Sequence, residues 1–532
     1  MRRILTRLFR LLLPPDVELR RRRLELTIWA FLLSLAFYPG VFGFIAWFAL
    51  VRPLMILTSL NGRQAFNAAY FYGFLFNLFS IYWVALVTPP GMITAVVIVA
   101  FYYTAVLIMF HRLYRIRSLL GFVMLPFLWV GMEFFRTLSE FAFPWSDLGY
   151  SQAYYLYILQ IVSVISVHGL SLVIVVVNVL VWQVFRKALT PERRLTAALA
   201  SLAIVAGLIA YGWVEMPRFP EPGTIDVALL QGSVPLEDKW ADDNEEHSLQ
   251  LYDSLIQAVR DSAIKLYVWP ETAVPCYVTH NQPCRARVSG IVRQTHAYHL
   301  VGALAAEGNA PDYRYFNSCF QIDTSGRIGQ RYDKVKLVPF SEHVPYQDYL
   351  PFLQKKFLRQ YLSFIDSYSV QWWSDFYPGD SMHLFTTPEV AYGVLICFES
   401  TFPDYARQMI RRGADFLVGI TNDTWFKRSV GIHMHSRIFV TRIVENRCWG
   451  ARAANSGLTY VADPYGRIRE RLDVYAVAAL RGKIDRLDGF SIYTRVGDVA
   501  GRLSFLLTVL TAAILPAVWL GRKVASSKLF SS

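Results

Sequence analysis

The feature that most limits this chain is a series of apolar stretches, most of them close to the ~20 residues needed to cross a bilayer. They fall near 26–39, 41–58, 67–87, 92–110, 118–134, 156–185 and 195–214, and one more, 503–520, stands alone near the C-terminus. Such a chain folds as an α-helical membrane bundle of about eight spans. The first stretch is short and ends at Pro39-Gly40, so it reads as re-entrant. The sixth is long and reads as strongly tilted or broken. Charged residues make up only 17% of the chain, against about 25% in ordinary soluble proteins.

The division that follows is a basic N-terminus (1–25), a membrane bundle (26–214), a soluble domain (215–500) and a last span with its tail (501–532). Residues 11–13, all leucine, are too short an apolar core for a cleaved signal peptide. The formal net charge of +13 does not call for a nucleic-acid partner. The basic residues sit between the apolar runs, where they set topology. Arg20–Arg23, Arg63, the group Arg112/Arg115/Arg117 and the group Arg186/Lys187/Arg193/Arg194 lie at alternate ends of the spans. Because Lys/Arg-rich loops stay in the cytoplasm, the N-terminus is expected inside. Residues 215–500 are then expected outside the cytoplasm.

The soluble part alternates short apolar runs with helical periodicity. Strands are expected at 225–230, 266–269, 300–304, 316–322, 391–396, 416–421 and 459–463, and helices at 245–262, 403–412 and 434–447. That alternation predicts an α/β sheet with covered faces. Five cysteines are present, with no metal-binding spacing. Cys276 and Cys284 are close enough in sequence to pair in an oxidising compartment; the sequence leaves this open.

One strand ends in chemistry. Tyr392–Ile396 runs into Cys397, Phe398 and Glu399, and Pro403 opens a helix. A strand stopping at a cysteine holds the thiol at a sheet edge, and a nearby helix N-terminus favours the thiolate. A lone cysteine is otherwise most often a buried structural residue. Two further islands carry the groups a cysteine nucleophile needs. Val268-Trp269-Pro270-Glu271 leaves a carboxylate at a strand end. Tyr332-Asp333-Lys334-Val335-Lys336 is followed by an apolar wall and Glu342. A carboxylate in a dry pocket can take the thiol proton, and an ammonium can stabilise a tetrahedral oxyanion. Taken singly, Glu271 also reads as a solvated carboxylate, one of Lys334 and Lys336 as a surface charge, Glu342 as an ion-pair partner, and Glu399 as a helix cap.

The order Trp-Pro-Glu, then Tyr-x-Lys-x-x-Leu-Val-Pro-Phe-x-Glu, then Ile-Cys-Phe-Glu resembles the nitrilase superfamily. Within it the chain is similar to the bacterial apolipoprotein N-acyltransferase family over nearly its whole length. Gln231-Gly232, Lys239-Trp240, Asn422-Asp423-Thr424-Trp425-Phe426, Arg447…Arg452…Asn455-Ser456-Gly457, Phe143-Pro144-Trp145 and Gly149-Tyr150-Ser151-Gln152 carry the likeness. The resemblance implies an αββα sandwich inserted before the last span of the bundle. It implies Glu271 as base, Lys334 as oxyanion-stabilising lysine and Cys397 as nucleophile, with Glu342, Glu399 and Phe398 supporting the site. Trp240 matches a tryptophan near the pocket mouth.

The implied reaction moves an acyl chain from a membrane phospholipid, through a Cys397 thioester, to the N-terminal amine of a diacylglyceryl-cysteine on a lipoprotein. The enzyme is expected as a multi-pass monomer of the bacterial inner membrane, with its catalytic domain on the periplasmic side, no cofactor, no metal and no nucleic-acid partner. The aromatic-rich 345–378 segment is expected to be a lid. Ser341 replaces a usual Gly, Phe398 a usual Tyr, and Ile432 and Met434 depart from a Gly-Pro-x-Gln-His run; these affect loop shape and substrate contacts. His433 and His435 lack the further ligands of a metal site. The alternative activity is a membrane-tethered amidase or nitrilase acting on small C–N bonds. Seven spans are more than an anchor requires. A transporter is disfavoured because the spans hold few charges.

Overall fold

The computed structural model describes residues 16–218, 223–239, 244–309, 312–347, 349–350, 352 and 375–529. The N-terminal half is helical: α1 Val17–Leu35, α2 Val51–Thr58, α3 Gly62–Ile81, α4 Pro89–Ile116, α5 Ser118–Phe135, α6 Val162–Phe185 and α7 Pro191–Glu215. Among the described residues, six helices are long and apolar enough to cross a membrane: α3 with the turn to Leu86, α4, α5, α6, α7 and the C-terminal helix from Val499.

The two remaining apolar stretches behave differently from expectation. The first is a continuous helix as far as Leu35. It belongs to α1, a helix that begins at the Asp16 cap and carries the arginine run on its own turns. Asp16 accepts from the amides of Glu18 and Leu19, 2.8 and 3.2 Å away, a cap of the kind that contributes about 1 kcal/mol. The second is divided into a 3₁₀ turn, Phe42–Trp47, and the short α2. The sixth stretch is broken, as its length suggested. A short turn at Leu156–Leu159 precedes α6, and Ser166 inside α6 has φ +68°. Its hydroxyl donates to Asp498, 2.7 Å away at the start of the last helix.

The second half contains β1 Ile225–Gln231, α8 Asn244–Val259, β2 Ile264–Val268, β3 Val274–Tyr277, α9 Gln282–Arg293, β4 Tyr298–Glu307, β5 Arg314–Ile322 and β6 Ile328–Asp333. It continues with β7 Leu384–Thr386, β8 Ala391–Ile396, α10 Pro403–Arg411, β9 Phe416–Thr421, α11 Val430–Asn446, β10 Trp449–Ala454, β11 Thr459–Ala462, β12 Ile468–Leu472 and β13 Ala478–Ile484, before α12 Val499–Leu529. Two mixed sheets form. One runs β13-β1-β2-β4-β5-β6, with β3 also on β4; the other runs β12-β11-β10-β9-β8-β7. Strands β8, β9 and β10 are mutually parallel, as are β1, β2 and β4. They read as continuous apolar runs because both faces are covered. The sheets pack face to face through β1 and β10, with α8 against the first and α10 and α11 against the second. The architecture is the expected αββα sandwich.

The sandwich is fastened to the bundle by buried polar and aromatic contacts. The Glu445 carboxylate accepts from the amide of Val167, 2.9 Å away. His168 pairs with Asp498 at 2.5 Å. Trp83 and Trp145 from the bundle meet Phe426 of the sandwich, with ring centroids 4.7 and 5.8 Å away. Gly431 is required at this contact: a β-carbon there would stand 2.6 Å from the Trp83 ring.

Candidate active site

Glu271, Lys334 and Cys397 each leave the carboxyl end of a strand, where α/β sheets hold their ligands. Glu271 lies three residues past β2, Lys334 follows β6, Cys397 follows β8 and Asn422 follows β9. Cys397 opens a 3₁₀ turn and has φ +50°, a strained conformation for a residue with a side chain. Its carbonyl accepts from the Ser400 hydroxyl at 2.8 Å and lies 3.0 Å from His435 Nε2. His435 Nδ1 is 2.8 Å from Asp423, which also pairs with Arg452 at 2.8 Å. These buried groups hold the backbone of the turn. Ser400, His435 and Asp423 stand in the order of a serine triad, but the Ser400 hydroxyl is already spent on the Cys397 carbonyl.

Glu271, Lys334 and Cys397 line one cavity. The Lys334 ammonium donates to Glu342 at 2.8 Å and lies 3.5 Å from Glu271. Asn317 donates to both carboxylates, at 2.7 Å to Glu271 and 3.1 Å to Glu342. The second oxygen of Glu271 accepts from the amide of Asn422 at 2.7 Å. Glu342 also accepts from the Val338 amide at 2.8 Å. Burial works against the Lys334 charge, but the Glu342 and Glu271 carboxylates outweigh it and hold the ammonium above its usual range. It remains a cation at neutral pH.

The thiol departs from the sequence expectation. Burial and then the Glu271 carboxylate push Cys397 well above the ordinary thiol value, with Lys334 only partly opposing them. The group at rest is a thiol, not the thiolate a helix N-terminus would favour. The reason is local: a short 3₁₀ turn follows the cysteine, and a carboxylate stands close by. A pair so arranged can transfer the proton to Glu271 as sulfur attacks, with Lys334 balancing the charge.

Glu399 is fully buried and does not line the cavity. It accepts from the amides of Ile396 (2.8 Å), Val335 (2.7 Å) and Lys336 (3.3 Å), and from the Tyr332 hydroxyl (2.8 Å). It ties the Lys334 loop to the Cys397 turn and at the same time caps that turn. Burial raises its carboxyl to about 7. Phe398 lines the cavity and packs edge-on against Phe402. Lys336 points elsewhere, donating to the Ser139 carbonyl at 2.9 Å. Trp240 lies outside the described residues, as does most of 345–378. Of that segment Phe376 lines the cavity, and Tyr346 packs on Phe141 of the bundle, 5.2 Å between centroids. Cys276 and Cys284 form a disulfide.

Sequence reasoning missed Asn317. It also missed Lys239, a buried lysine whose ammonium donates to the Thr272 hydroxyl at 2.9 Å, next to Glu271. Desolvation lowers that ammonium to about 7, the Glu271 charge partly restoring it. An isolated Asn in mid-strand gives no signal of its own; Lys239 stands in the quoted Lys-Trp pair and was open to a role.

The cavity encloses about 1460 Å³ of empty space, its open mouth included. Its far walls come from the bundle: Trp83, Val84 and Val87, one face of α4, and Phe141, Phe143 and Trp145. A two-sheet sandwich presenting a carboxylate, a lysine and a cysteine at strand ends defines a nitrilase-type domain, here mounted on membrane helices. The carbon-nitrogen hydrolase family profile matches residues 226–480, and the apolipoprotein N-acyltransferase N-terminal domain matches residues 29–180. An apolipoprotein N-acyltransferase of Geobacter metallireducens is 32% identical, covering 92% of this chain and 95% of the relative. One from Chlorobaculum tepidum is 30% identical over 86% and 88%. An amidase from Nesterenkonia sp. aligns in structure with TM-score 0.36 and 18% identity, over 53% of this chain and 95% of its own. The chain belongs to the apolipoprotein N-acyltransferase family, and it is a membrane protein.

Proposed function

We propose that the protein transfers an acyl chain from a membrane phospholipid to the N-terminal amine of a diacylglyceryl-cysteine on a lipoprotein. One observation carries this reading: the cysteine, lysine and carboxylate open into the same cavity as the apolar faces of the membrane helices. Cys397 Sγ attacks the ester carbonyl while Glu271 takes the thiol proton. Lys334 stabilises the oxyanion, Glu342 orients that ammonium, and Asn317 holds the Glu271 and Glu342 carboxylates. The C–O bond breaks, the proton passes from Glu271 to the glycerol oxygen, and lysophospholipid leaves. The amine then attacks the thioester, giving up a proton to Glu271 and an amide to the product. The thiol recovers that proton. No step calls for a metal or cofactor.

The domain boundaries follow the same reading: residues 215–500 catalytic, 26–214 and the C-terminal helix in lipid, and a monomer as the working unit. The catalytic domain faces the periplasm, from the inner membrane. The basic groups near 112–117 and 186–194 support that orientation. Five candidate spans precede residue 215, and adding α1 and the 42–58 segment makes seven, so the count stays odd either way. The Cys276–Cys284 disulfide fits an oxidising compartment. The amidase alternative is disfavoured by the match to the acyltransferase N-terminal domain.

The test supplies purified protein with phospholipid labelled in its acyl chains and a diacylated lipopeptide. Label is expected as an amide on the peptide's N-terminus. Ammonia released from small amides, with no label on the peptide, would replace this reading with the amidase.

A further inference from the structure

The bundle side of the cavity has a direction and an end. Thr88, Gly91, Ala95 and Ile98 line it at spacings of three, four and three residues. That spacing places them on one stripe of α4. Val99, the deepest lining residue on this helix, lies ten residues beyond Pro89. At 1.5 Å per residue this is about 15 Å along the axis, half of the ~30 Å hydrocarbon layer.

Among the described residues, none of α4 beyond Val99 lines the cavity. A β-carbon on Gly73 of α3 would stand 2.9 Å from the Tyr103 side chain and 3.3 Å from the Ala100 carbonyl, so α3 and α4 are in direct contact there. The buried Tyr103 ring meets Phe76 and Trp129 at 5.4 and 5.2 Å. The cavity is thus an apolar groove shared with Cys397, and its lining on α4 ends one turn short of the packed Tyr102 and Tyr103 rings.

Resting on the acyl-transfer reading, we propose that this groove measures the acyl chain, and that Ala95 and Ile98 are the residues that determine which chain lengths are accepted. The carbonyl must reach Cys397, so the methyl end falls at a fixed depth. Each methylene that fits is worth about fourfold in affinity. Each one beyond that lining meets packed rings that cannot yield without cost. Ala95 is small where the groove must stay open; Ile98 stands one turn deeper, next to the end of the lining.

The experiment loads the full-length protein with an equimolar mixture of phospholipids identical except in acyl length. The mass of the acyl group on Cys397 is then read. Ala95→Phe is expected to raise the ratio of short to long chains by about tenfold or more, the scale of one misfitted methylene in an apolar pocket. Ile98→Ala is expected to move the ratio the other way. Ile93→Phe, on the exposed face of α4, is expected to match wild type. Identical chain distributions in all variants, or a loss in Ala95→Phe that is equal at every length, would overturn the proposal. If wild type forms no thioester with any donor, it is the acyl-transfer reading itself that fails.

Discussion

The two halves of the cavity are built from opposite materials. The sandwich half holds Glu271, Lys334, Glu342 and Cys397, locked by Asn317 and the Asn422 amide. The bundle half is almost wholly apolar and aromatic. A fixed polar array performs the same bond changes on any ester brought to it, whereas an apolar wall discriminates by size and shape alone. On the proposed reading, bond chemistry belongs to the sandwich and choice of lipid to the bundle. Substitutions in the first half should reduce turnover for every donor; those in the second should alter which donors are used.

The largest effect is expected at Cys397, the proposed nucleophile. Cys397→Ala should reduce acyl transfer by about 10⁴-fold or more, whatever the chain length, as measured with labelled phospholipid. Residual transfer that varies with donor length would break the division of labour. Glu271→Gln should cost about 10²–10⁴-fold, since the proposed base is lost while the carboxamide keeps its size. Asn317→Ala should follow with a loss of about 10–100-fold in kcat and little change in KM, because its two bonds orient carboxylates rather than bind lipid.

A smaller effect concerns pH. Glu399 ionises near 4.5 in an unfolded chain and near 7 when buried in the fold. Between those values the folded protein keeps a proton that the unfolded chain has lost. Its contribution to stability is therefore full below pH 4.5 and is lost as pH rises towards 7. Glu399→Gln should flatten that decline in the thermal midpoint, even if it lowers the midpoint overall by removing an acceptor. The smallest effect lies far from the cavity. Replacing Cys276 and Cys284 by Ser should cost about 2–3 kcal/mol, as expected for so short a loop, and leave donor preference unchanged.

The sandwich was more legible in the sequence than the bundle ends. Strands such as Ala391–Ile396 and Phe416–Thr421 are unbroken apolar runs closed by turns, and the observed bounds coincide with the expected ones. Edge strands such as Ile468–Leu472 carry mostly exposed, charged residues and give no such pattern. Helix α9 went unread although Asn281 caps it and Pro283 opens it, because its apolar positions are few. In α1 four consecutive arginines hid a helix whose buried face is only Leu26, Ala30, Leu33 and Ser34. Within the site, residues at strand ends stood out. Asn317 did not, because a polar side chain on a strand normally marks its solvent face. The state of Cys397 was hidden for a related reason: it depends on Glu271, 126 positions earlier, which only the fold brings near.

If the Cys397 thiol meets a lipid acyl chain within this cavity, the encounter is detectable without any acceptor. Full-length protein is incubated with a phospholipid of one defined acyl chain, then digested and weighed. A single acyl group is expected on the peptide containing Cys397, removed by hydroxylamine as a thioester must be. An acyl group on another residue, or an unmodified Cys397 in protein that still completes transfer, would contradict that expectation.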